Sequence, residues 1–421
     1  MKLGGEFFVA LRYLLGRARE GGRYLQGAAA GIAVSLIPII VTLIVADGMI
    51  RGITDRYLEL GTGHLQIYSA PKGREPHELA EDIEGIPGVR GVWAERHGMG
   101  VIMGTGGKAG ADIRATDPSF WEDPGSARFL TTIEGSAVLE SNQEALLGEA
   151  LALSIGAEVG KPIYIMSIHP QADGRTIPLT LPFTVRGIVS SGYRELDSLW
   201  CIVSYEGGER LLSPEFSSTY LIVKVDDPYA GAERFSPLLR RALGYGYSVY
   251  TWKELQYSQY SSYESTRQLL LFIMALIVIV AAVNVSSATS MLVMERQRDI
   301  AVLKAAGTSP GSMGRIFLFS SFLTGLTGAV IGIALGLLIG NSINFLIHGL
   351  EEFLGIFSAL FHGEKLRILD PGYYLEEIPI IINWKTVGLI GLLTVLCSVL
   401  ASWLPARRAG GLKPLELLRK V

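Results

Sequence analysis

Four stretches without a single Asp, Glu, Lys or Arg interrupt this chain, and their lengths restrict what it can become. The first runs from about Tyr24 to Ala46, the second from about Gln268 to Met294, the third lies within Ile316 to Ile347, and the fourth runs from about Thr386 to Leu404. At 1.5 Å of rise per residue, about 20 apolar residues in a helix cross a hydrocarbon core of roughly 30 Å, so each stretch is long enough to span a bilayer. A polar block of ordinary globular composition separates the first from the second. The whole chain is 49% hydrophobic and 18% charged, which suits a hybrid of membrane and aqueous parts. The expected fold is therefore an integral membrane α-helical protein with four transmembrane helices and a large extracytoplasmic α/β domain.

The first apolar run could instead be a secretory signal, because Arg12, Arg17, Arg19 and Arg23 precede it. It exceeds the apolar core of such signals, which is about 7 to 15 residues long, and lacks their small-residue exit, so a retained span is expected. Pro38 should kink it.

Lys and Arg in the flanks set the orientation. The N-terminal segment carries Lys2 and the four arginines just named. The loop after the second span carries Arg296, Arg298, Lys304 and Arg315, and the tail carries Arg407, Arg408, Lys413, Arg419 and Lys420. These segments are expected in the cytoplasm. The connection between spans three and four holds Glu351, Glu352, Glu364, Asp370, Glu376 and Glu377 against Lys365, Arg367 and Lys385, and is expected outside. The resulting plan is a cytoplasmic amphipathic segment at 1–23, spans at 24–47, 268–294, 316–347 and 386–404, an outer domain at 48–267, a cytoplasmic loop at 295–315, an outer loop at 348–385 and a cytoplasmic tail at 405–421. Phe7, Phe8, Leu11, Leu14 and Leu15 fit a helix lying in the inner interface, or equally an extension of the first span.

Within the outer block, strand and helix signals at His64–Ser69, His77–Ile83 and Val89–Trp93 are answered much later by Thr219–Val225, Tyr229–Leu243 and Ser248–Trp252. Between them, about 118–214 is rich in turn signals and short apolar runs, and is expected to be an inserted β-rich subdomain. A helix from about Lys253 to Arg267 should lead into the second span. It carries Tyr257, Tyr260 and Tyr263, suited to the headgroup level or to packing on the stalk.

Chemical motifs are absent. Gly107-Lys108 and Gly160-Lys161 lack both the first glycine and the hydroxyl of a phosphate-binding loop, so Gly104–Gly110 is expected to be a hairpin turn. The six histidines show no metal-binding spacing, and no GxSxG elbow occurs. Cys201 and Cys397 sit in incompatible surroundings for a disulfide. A net charge of −3 offers no basic excess for nucleic acid, which is excluded as a partner class. No Asp, Glu, His or Lys lies at the middle of a span, where an ion-coupled carrier would hold its ion. A chain that moves cargo on such terms must draw its energy from a partner; otherwise it only anchors or signals.

Two features remain. Gly328, Gly332, Gly336 and Gly340 recur every four residues and form a smooth stripe for close helix packing, within the chain or in a dimer. After the second span, Glu295–Gly307 (ERQRDIAVLKAAG) should form a short helix exposing Arg298, Asp299 and Lys304 beside Ile300 and Leu303 and ending at Gly307, with Ser309-Pro310 starting the next helix.

Glu295–Gly307 resembles the signature of FtsX-like permeases, the membrane part of mechanotransmission ABC transporters. The likeness continues into the glycine-rich third span, Leu404-Pro-Ala-Arg-Arg-Ala and Lys413-Pro-Leu-Glu-Leu-Leu-Arg. Phe8-Val-Ala-Leu-Arg-Tyr-Leu, Asp47-Gly-Met, Gly63-His-Leu-Gln-Ile, Arg114-Ala-Thr-Asp-Pro, Leu147-Gly-Glu-Ala-Leu-Ala, Asp197-Ser and Asp370-Pro-Gly-Tyr-Tyr resemble the lipoprotein-releasing permeases of the LolC and LolE type.

This resemblance implies a permease subunit with no cofactor of its own, driven by ATP and Mg on a separate LolD-like cytoplasmic ATPase. Its further partners would be a second permease subunit, identical or different, a lipoprotein cargo drawn from the outer leaflet of the cytoplasmic membrane, membrane lipid, and a periplasmic lipoprotein carrier. Glu295, Arg296, Arg298, Asp299, Ile300, Leu303 and Lys304 would form the ATPase-coupling helix, and the stalk around Tyr257, Tyr260 and Tyr263 would carry the motion outward. Ser167–Pro182 stands where LolC-type subunits hook the carrier, without clearly reproducing the hook. Two alternatives are an FtsX-like anchor activating an external cell-wall hydrolase and a MacB-like efflux permease. The outer block is large and bipartite for the first, and no ATPase is fused in front as in the second.

Overall fold

The computed structural model describes residues 3–15, 22–69, 74, 76–171, 173–244, 246–361, 375 and 377–412. In chain order the elements are α1 (Leu3–Leu15), α2 (Gly22–Arg56), a π-helical turn (Tyr57–Thr62), β1 (Leu65–Ser69), α3 (Pro76–Glu84), β2 (Val89–Met103), β3 (Lys108–Thr116), α4 (Ser119–Glu122), α5 (Pro124–Phe129), β4 (Thr131–Gly135), β5 (Glu144–Gly148) and α6 (Glu149–Ile155). They continue with β6 (Pro162–Pro170), β7 (Thr176–Ser190), α7 (Arg194–Asp197), β8 (Trp200–Ser204), α8 (Tyr205–Leu211), β9 (Ser217–Val225), α9 (Gly231–Leu243), β10 (Tyr247–Thr251), α10 (Trp252–Leu255), α11 (Tyr257–Glu295), α12 (Gln297–Ala305), α13 (Pro310–Asn341), α14 (Ile343–Phe361), α15 (Trp384–Ala401) and α16 (Trp403–Gly411). Two compact units emerge: Met1–Gly48, Tyr263–Glu352 and Pro379–Val421 form one, and Met49–Ser262 with Phe353–Ile378 form the other.

The helical unit is apolar because its helices must satisfy their backbone internally while facing lipid. Among the described residues, four helices are long and apolar enough to cross a membrane: Arg23–Thr62, Tyr257–Glu295, Pro310–Asn341 and Trp384–Gly411. One cluster gathers Ile32, Leu36, Ile40 and Ile44 of α2 with Val278 and Val285 of α11, Ala329 of α13 and Ile390 of α15. A second gathers Ala10 and Leu14 of α1, Ile300 of α12, Ile316 and Phe317 of α13, and Ala406 and Ala409 of α16. Helix α1 is thus a separate helix packed on α13, with Phe7 edge-on to Phe319 at 6.0 Å, rather than an extension of the first span. The third span ends at Asn341, short of the expected residue 347, and α14 begins two residues later inside the expected outer loop. Phe345, Leu350 and Phe353 are exposed on α14 beside Glu351 and Glu352, the pattern of a helix lying in a membrane interface. The outer-loop residues Glu364, Lys365, Arg367, Asp370 and Glu376, the N-terminal Lys2, Arg17 and Arg19, and the tail from Lys413 lie outside the described residues.

The second unit holds a ten-stranded sheet. One part is ferredoxin-like: β1–α3–β2 and β9–α9–β10 are two strand-helix-strand units whose strands lie antiparallel in the order β10-β1-β9-β2. Leu79 and Ile83 of α3 and Ala232 and Leu239 of α9 pack on these strands with Leu65, Val92, Val223 and Val249. The other part is the expected β-rich insertion, and its pairings run β2 to β3, β3 to β8, β8 to β5, β5 to β7, β7 to β6 and β6 back to β2. That circuit closes a barrel, from which the outer halves of β6 and β7 (Ser167–Pro170 with Thr176–Leu179) extend as a two-stranded hairpin. Ile102, Ile113, Leu147, Ile165, Val185 and Cys201 fill the barrel.

The insertion differs from the expected 118–214 in one respect. It borrows β2 and β3, because β2 is long enough to pair with β9 over Val89–Gly98 and with β6 over Val101–Met103. The hairpin turn expected at Gly104–Gly110 is confined to Gly104–Gly107, closed by the Gly104 N–H donating to Gly107 O at 2.9 Å, and β3 already begins at Lys108. Burial pushes the Cys201 thiol up, so it behaves as a small apolar filler of the barrel.

Candidate functional sites in the two units

Of the residues expected to couple to a partner, Glu295 ends α11, Arg296 caps α12 and the others lie on α12, and the structure divides them between two faces. Ile300 and Ala301 are buried, Leu303 is partly buried against the cluster of α1, α13 and α16, and Lys304 donates to the carbonyls of Gly410 at 2.5 Å and Leu412 at 2.6 Å. These four hold the helix in place. Lys304 is therefore not the exposed group the sequence suggested, because an amphipathic helix of nine residues needs an inward face to be held at all. Arg296 pairs with Asp299 at 3.0 Å and lies 5.5 Å from the Tyr13 ring centroid. The outward side carries Glu295 at the end of α11 and Arg298 and Val302 on α12, with Val302 63% exposed although apolar. Gly307, at φ 89°, ends the segment in the left-handed conformation that glycine accepts without strain.

The glycine stripe of α13 faces α2. A Cβ on Gly328 would stand 2.7 Å from Ala29 O, on Gly332 2.9 Å from Ala33 Cα, on Gly336 2.8 Å from Ile40 Cβ, and on Gly340 2.5 Å from Ile44 Cδ1. The stripe is filled from within the chain, so it is not a free face for a second copy. Of the polar residues late in the second span, Thr289 reaches across the bundle, to Ser321 at 2.9 Å and Ser402 at 3.3 Å. Ser287 and Ser290 bond back to carbonyls of their own helix.

The stalk tyrosines separate. Tyr257 is exposed, whereas Tyr260 stands edge-on to Trp252 at 5.4 Å. Trp252 in turn meets Tyr229 at 5.6 Å and donates its indole N–H to Pro228 O at 2.9 Å. Thr251 and Glu254 form a capping box at the start of α10, so the chain enters α11 from a fixed corner of the sheet. Tyr263 is half-buried.

The sequence reading missed the most elaborate site, where α2 ends. A helix C-terminus leaves carbonyls without partners. Here Arg114 supplies them: its guanidinium donates to Leu60 O and, at 3.1 Å, to Gly61 O. The same guanidinium holds Glu95 bidentately at 2.9 and 2.6 Å and lies 5.2 Å from the ring centroids of both Trp121 and Trp200. Glu95 also accepts from the Tyr220 hydroxyl at 3.0 Å.

Beside this cap, Glu59 from the π-helical turn joins a second set of charges. Lys224, fully buried, lies 3.2 Å from Glu59, 2.9 Å from Asp123 and 2.6 Å from the Ser126 hydroxyl, with the Phe120 ring centroid 4.5 Å away. Arg90 bridges the same two carboxylates at 2.8 and 3.1 Å. His64 Nδ1 accepts the Val225 N–H at 2.9 Å, so its Nε2 carries the hydrogen directed at Glu59, 3.2 Å away. Two cations thus face two anions, which is how charges survive burial. Burial works to raise the Asp123 carboxyl, but Lys224 and Arg90 outweigh it and hold it below the usual carboxylate range. The available signal was Lys224 inside the apolar run TYLIVKV: a charge on a buried strand needs a partner.

Asp197, like Arg114, belongs to a motif that carried the family resemblance, and it too is structural. It accepts from the Ser190 hydroxyl at 2.7 Å and the Ser191 N–H at 2.8 Å. A Cβ on Gly148, from another of those motifs, would meet Asp197 O at 2.2 Å.

With this geometry in view, comparison with known proteins divides the chain in the same way. A family described as the MacB-like periplasmic core domain matches residues 27–233, and one described as FtsX-like permease C-terminal matches residues 271–414. The chain is therefore a membrane permease with a MacB-like periplasmic core domain followed by an FtsX-like C-terminal domain. Within that class it is similar over its length to proteins named LolC and LolE. It is 26% identical to the lipoprotein-releasing system transmembrane protein LolC of Neisseria meningitidis serogroup B, over 98% of this chain and 99% of that one. It is 27% identical to LolC of Xylella fastidiosa and 24% identical to LolE of Haemophilus influenzae, in each case over 98% of both chains. Among solved structures, the periplasmic region of MacB from Actinobacillus actinomycetemcomitans matches with 14% identity and a TM-score of 0.33, covering 48% of this chain and 94% of that one.

Two outcomes test these sites. Replacing Gly332→Val should destabilise the full chain in detergent by about 1–3 kcal/mol through overpacking against α2, whereas Gly388→Ala, with nothing within 4 Å of the added carbon, should not; thermal unfolding reads both. Lys224→Met should cost about 3–5 kcal/mol by leaving Glu59 and Asp123 short of a cation. Because the folded Asp123 value is depressed, its stabilisation is present above the unfolded value of about 3.9 and lost as pH falls through the folded one. Unfolding of the full chain should therefore become easier below about pH 4, and Asp123→Asn should shrink that dependence.

Proposed function

We propose that this chain is the permease subunit of a mechanotransmission-type ABC transporter that extracts lipoproteins from the outer leaflet of the cytoplasmic membrane. The observation that carries the proposal is similarity over 98% of the chain to proteins named LolC and LolE, which extends the likeness beyond either family domain alone. In this reading both termini and α12 face the cytoplasm, and the sheet-containing unit faces the periplasm. The distribution of Lys and Arg in the flanks supports that orientation.

The ATPase activity belongs to a separate partner that binds ATP and Mg, and this chain binds no cofactor. The outward side of the α12 segment, Glu295 at the end of α11 with Arg298 and Val302 on α12, docks on that partner, while Ile300, Leu303 and Lys304 transmit displacement into α1, α13 and α16. Helices α2 and α11 carry the motion onward, since α2 ends in the buried charges of Glu59 and Arg114 and α11 begins at the corner held by Trp252. A second permease subunit completes the transporter.

The hairpin of β6 and β7 contains Ser167–Pro182 and exposes Ile168 and Ile177 near its tip, which suits recruitment of a lipoprotein carrier. The outer unit is large and bipartite, with a ferredoxin-like part and a barrel, which favours this reading over an anchor for a cell-wall hydrolase.

The test reconstitutes the full chain with its ATPase and permease partners in proteoliposomes and follows ATP-dependent release of an acylated lipoprotein. Arg298→Glu combined with Val302→Glu should lower release at least about tenfold, two charge changes at an interface being worth more than 1.4 kcal/mol, with insertion unchanged. Unaltered release by that variant would contradict the coupling role. Recovery of a cell-wall hydrolase, rather than lipoproteins, with the tagged chain would contradict the cargo.

A further inference from the structure

The helical unit contains a cleft of about 580 Å³ whose lining includes Lys304 of α12, Gly311, Arg315 and Leu318 of α13, and Trp403 and Arg407 of α16. Its charge is one-sided. No acidic side chain lines it among the described residues. Arg315 is neutralised from behind by Glu6, which accepts from it twice at 2.8 Å. Lys304 meets only the neutral carbonyls of Gly410 and Leu412, and Arg407 lies 5.4 Å from the Trp403 ring centroid; neither has an ion-pair partner among the described residues. Among the described residues, two cations therefore face the cleft without counter-charges.

Its depth in the membrane follows from two exposed tryptophans. Trp384 opens α15 and Trp403 opens α16, 66% and 50% exposed, and the residues between them span about 28 Å at the helical rise, close to the thickness of a hydrocarbon core. Exposed tryptophans at that separation mark the two headgroup levels. The cleft thus opens at headgroup level, with Leu318 on its apolar side.

We propose that this cleft binds the headgroup of an anionic phospholipid, its phosphate between Arg407 and Lys304 and its acyl chains along the face of Leu318. Uncompensated cations, an aromatic at the interface and an apolar wall are the three features such a ligand recognises. Because Lys304 also pins α12, the bound lipid fastens the end of α12 to α16. This inference concerns the helical unit alone and does not depend on which cargo the transporter moves.

The test is native mass spectrometry of the full chain in detergent, offered an equimolar mixture of phosphatidylglycerol and phosphatidylcholine. The expected result is retention of one phosphatidylglycerol with at least about tenfold preference. Arg407→Glu should weaken it about thirtyfold, two charge units each contributing the surface attraction of one basic residue. Arg407→Lys should restore most of the binding, which separates loss of charge from loss of fold. Inorganic phosphate at 10 mM, about the concentration that would saturate a millimolar anion site, should leave the lipid bound. Equal retention of the two lipids, indifference to Arg407→Glu, displacement by inorganic phosphate, or stoichiometric displacement by the purified ATPase partner would each overturn the proposal.

Discussion

The end of a long membrane helix inside a folded aqueous domain poses a physical difficulty on which the rest of this protein depends. The last turn of such a helix exposes carbonyls that water would ordinarily satisfy, and burying them unpartnered costs about 1–3 kcal/mol each. The chain meets this with Arg114, a cation placed at the negative end of the helix dipole and itself balanced by Glu95. The adjacent set of Glu59, Asp123, Lys224 and Arg90 ties the same turn to β2, β9 and the start of α5. Hydrophobic packing alone would permit that turn to slide or rotate. Directional, charge-balanced bonds do not, because any displacement leaves a charge buried without its partner.

The helical unit relies on a different device. Lipid gives no hydrophobic drive for helix association, so α13 presents glycines to α2 and gains close backbone contact instead. One polar crossing, from Thr289 to Ser321 and Ser402, ties α11 to α13 and to the junction of α15 with α16. Near the proposed cytoplasmic ends, α1, α12, α13 and α16 share one apolar cluster, so a push on α12 is met by a packed assembly rather than by a loose loop. The fold thus supplies stiff attachments at α12 and at the sheet, which is what a subunit driven by a partner requires.

Much of this was legible in the sequence wherever the physics is local. Uninterrupted apolar runs gave the spans, alternation gave β1, the apolar run TYLIVKV gave β9, and the four-residue glycine spacing gave the stripe, though not its partner α2. The closed barrel was not legible as such, because closure depends on β6 returning to β2, a pairing between distant segments that no local pattern encodes. The break at Ser342 escaped because the residues on both sides are equally apolar and only the turn of amphipathicity into α14 distinguishes them. The face of α12 was misjudged for a related reason: Lys304 reads as a solvated charge until the carbonyls of Gly410 and Leu412 come into place around it. Glu59 and Lys224 assemble from segments far apart in the chain, and only the oddity of a lysine within TYLIVKV hinted at them.

The account stands most directly on sidedness: the sheet-containing unit and α12 must face opposite sides of the membrane. In a chain with Cys201→Ala and Cys397→Ala, single cysteines introduced as Asp173→Cys, between β6 and β7, and Arg298→Cys, on α12, can be challenged in intact spheroplasts with a membrane-impermeant maleimide. The account predicts that the cysteine at position 173 reacts at once and the one at 298 only after permeabilisation. Reaction of both before permeabilisation, or the reverse order, would contradict it.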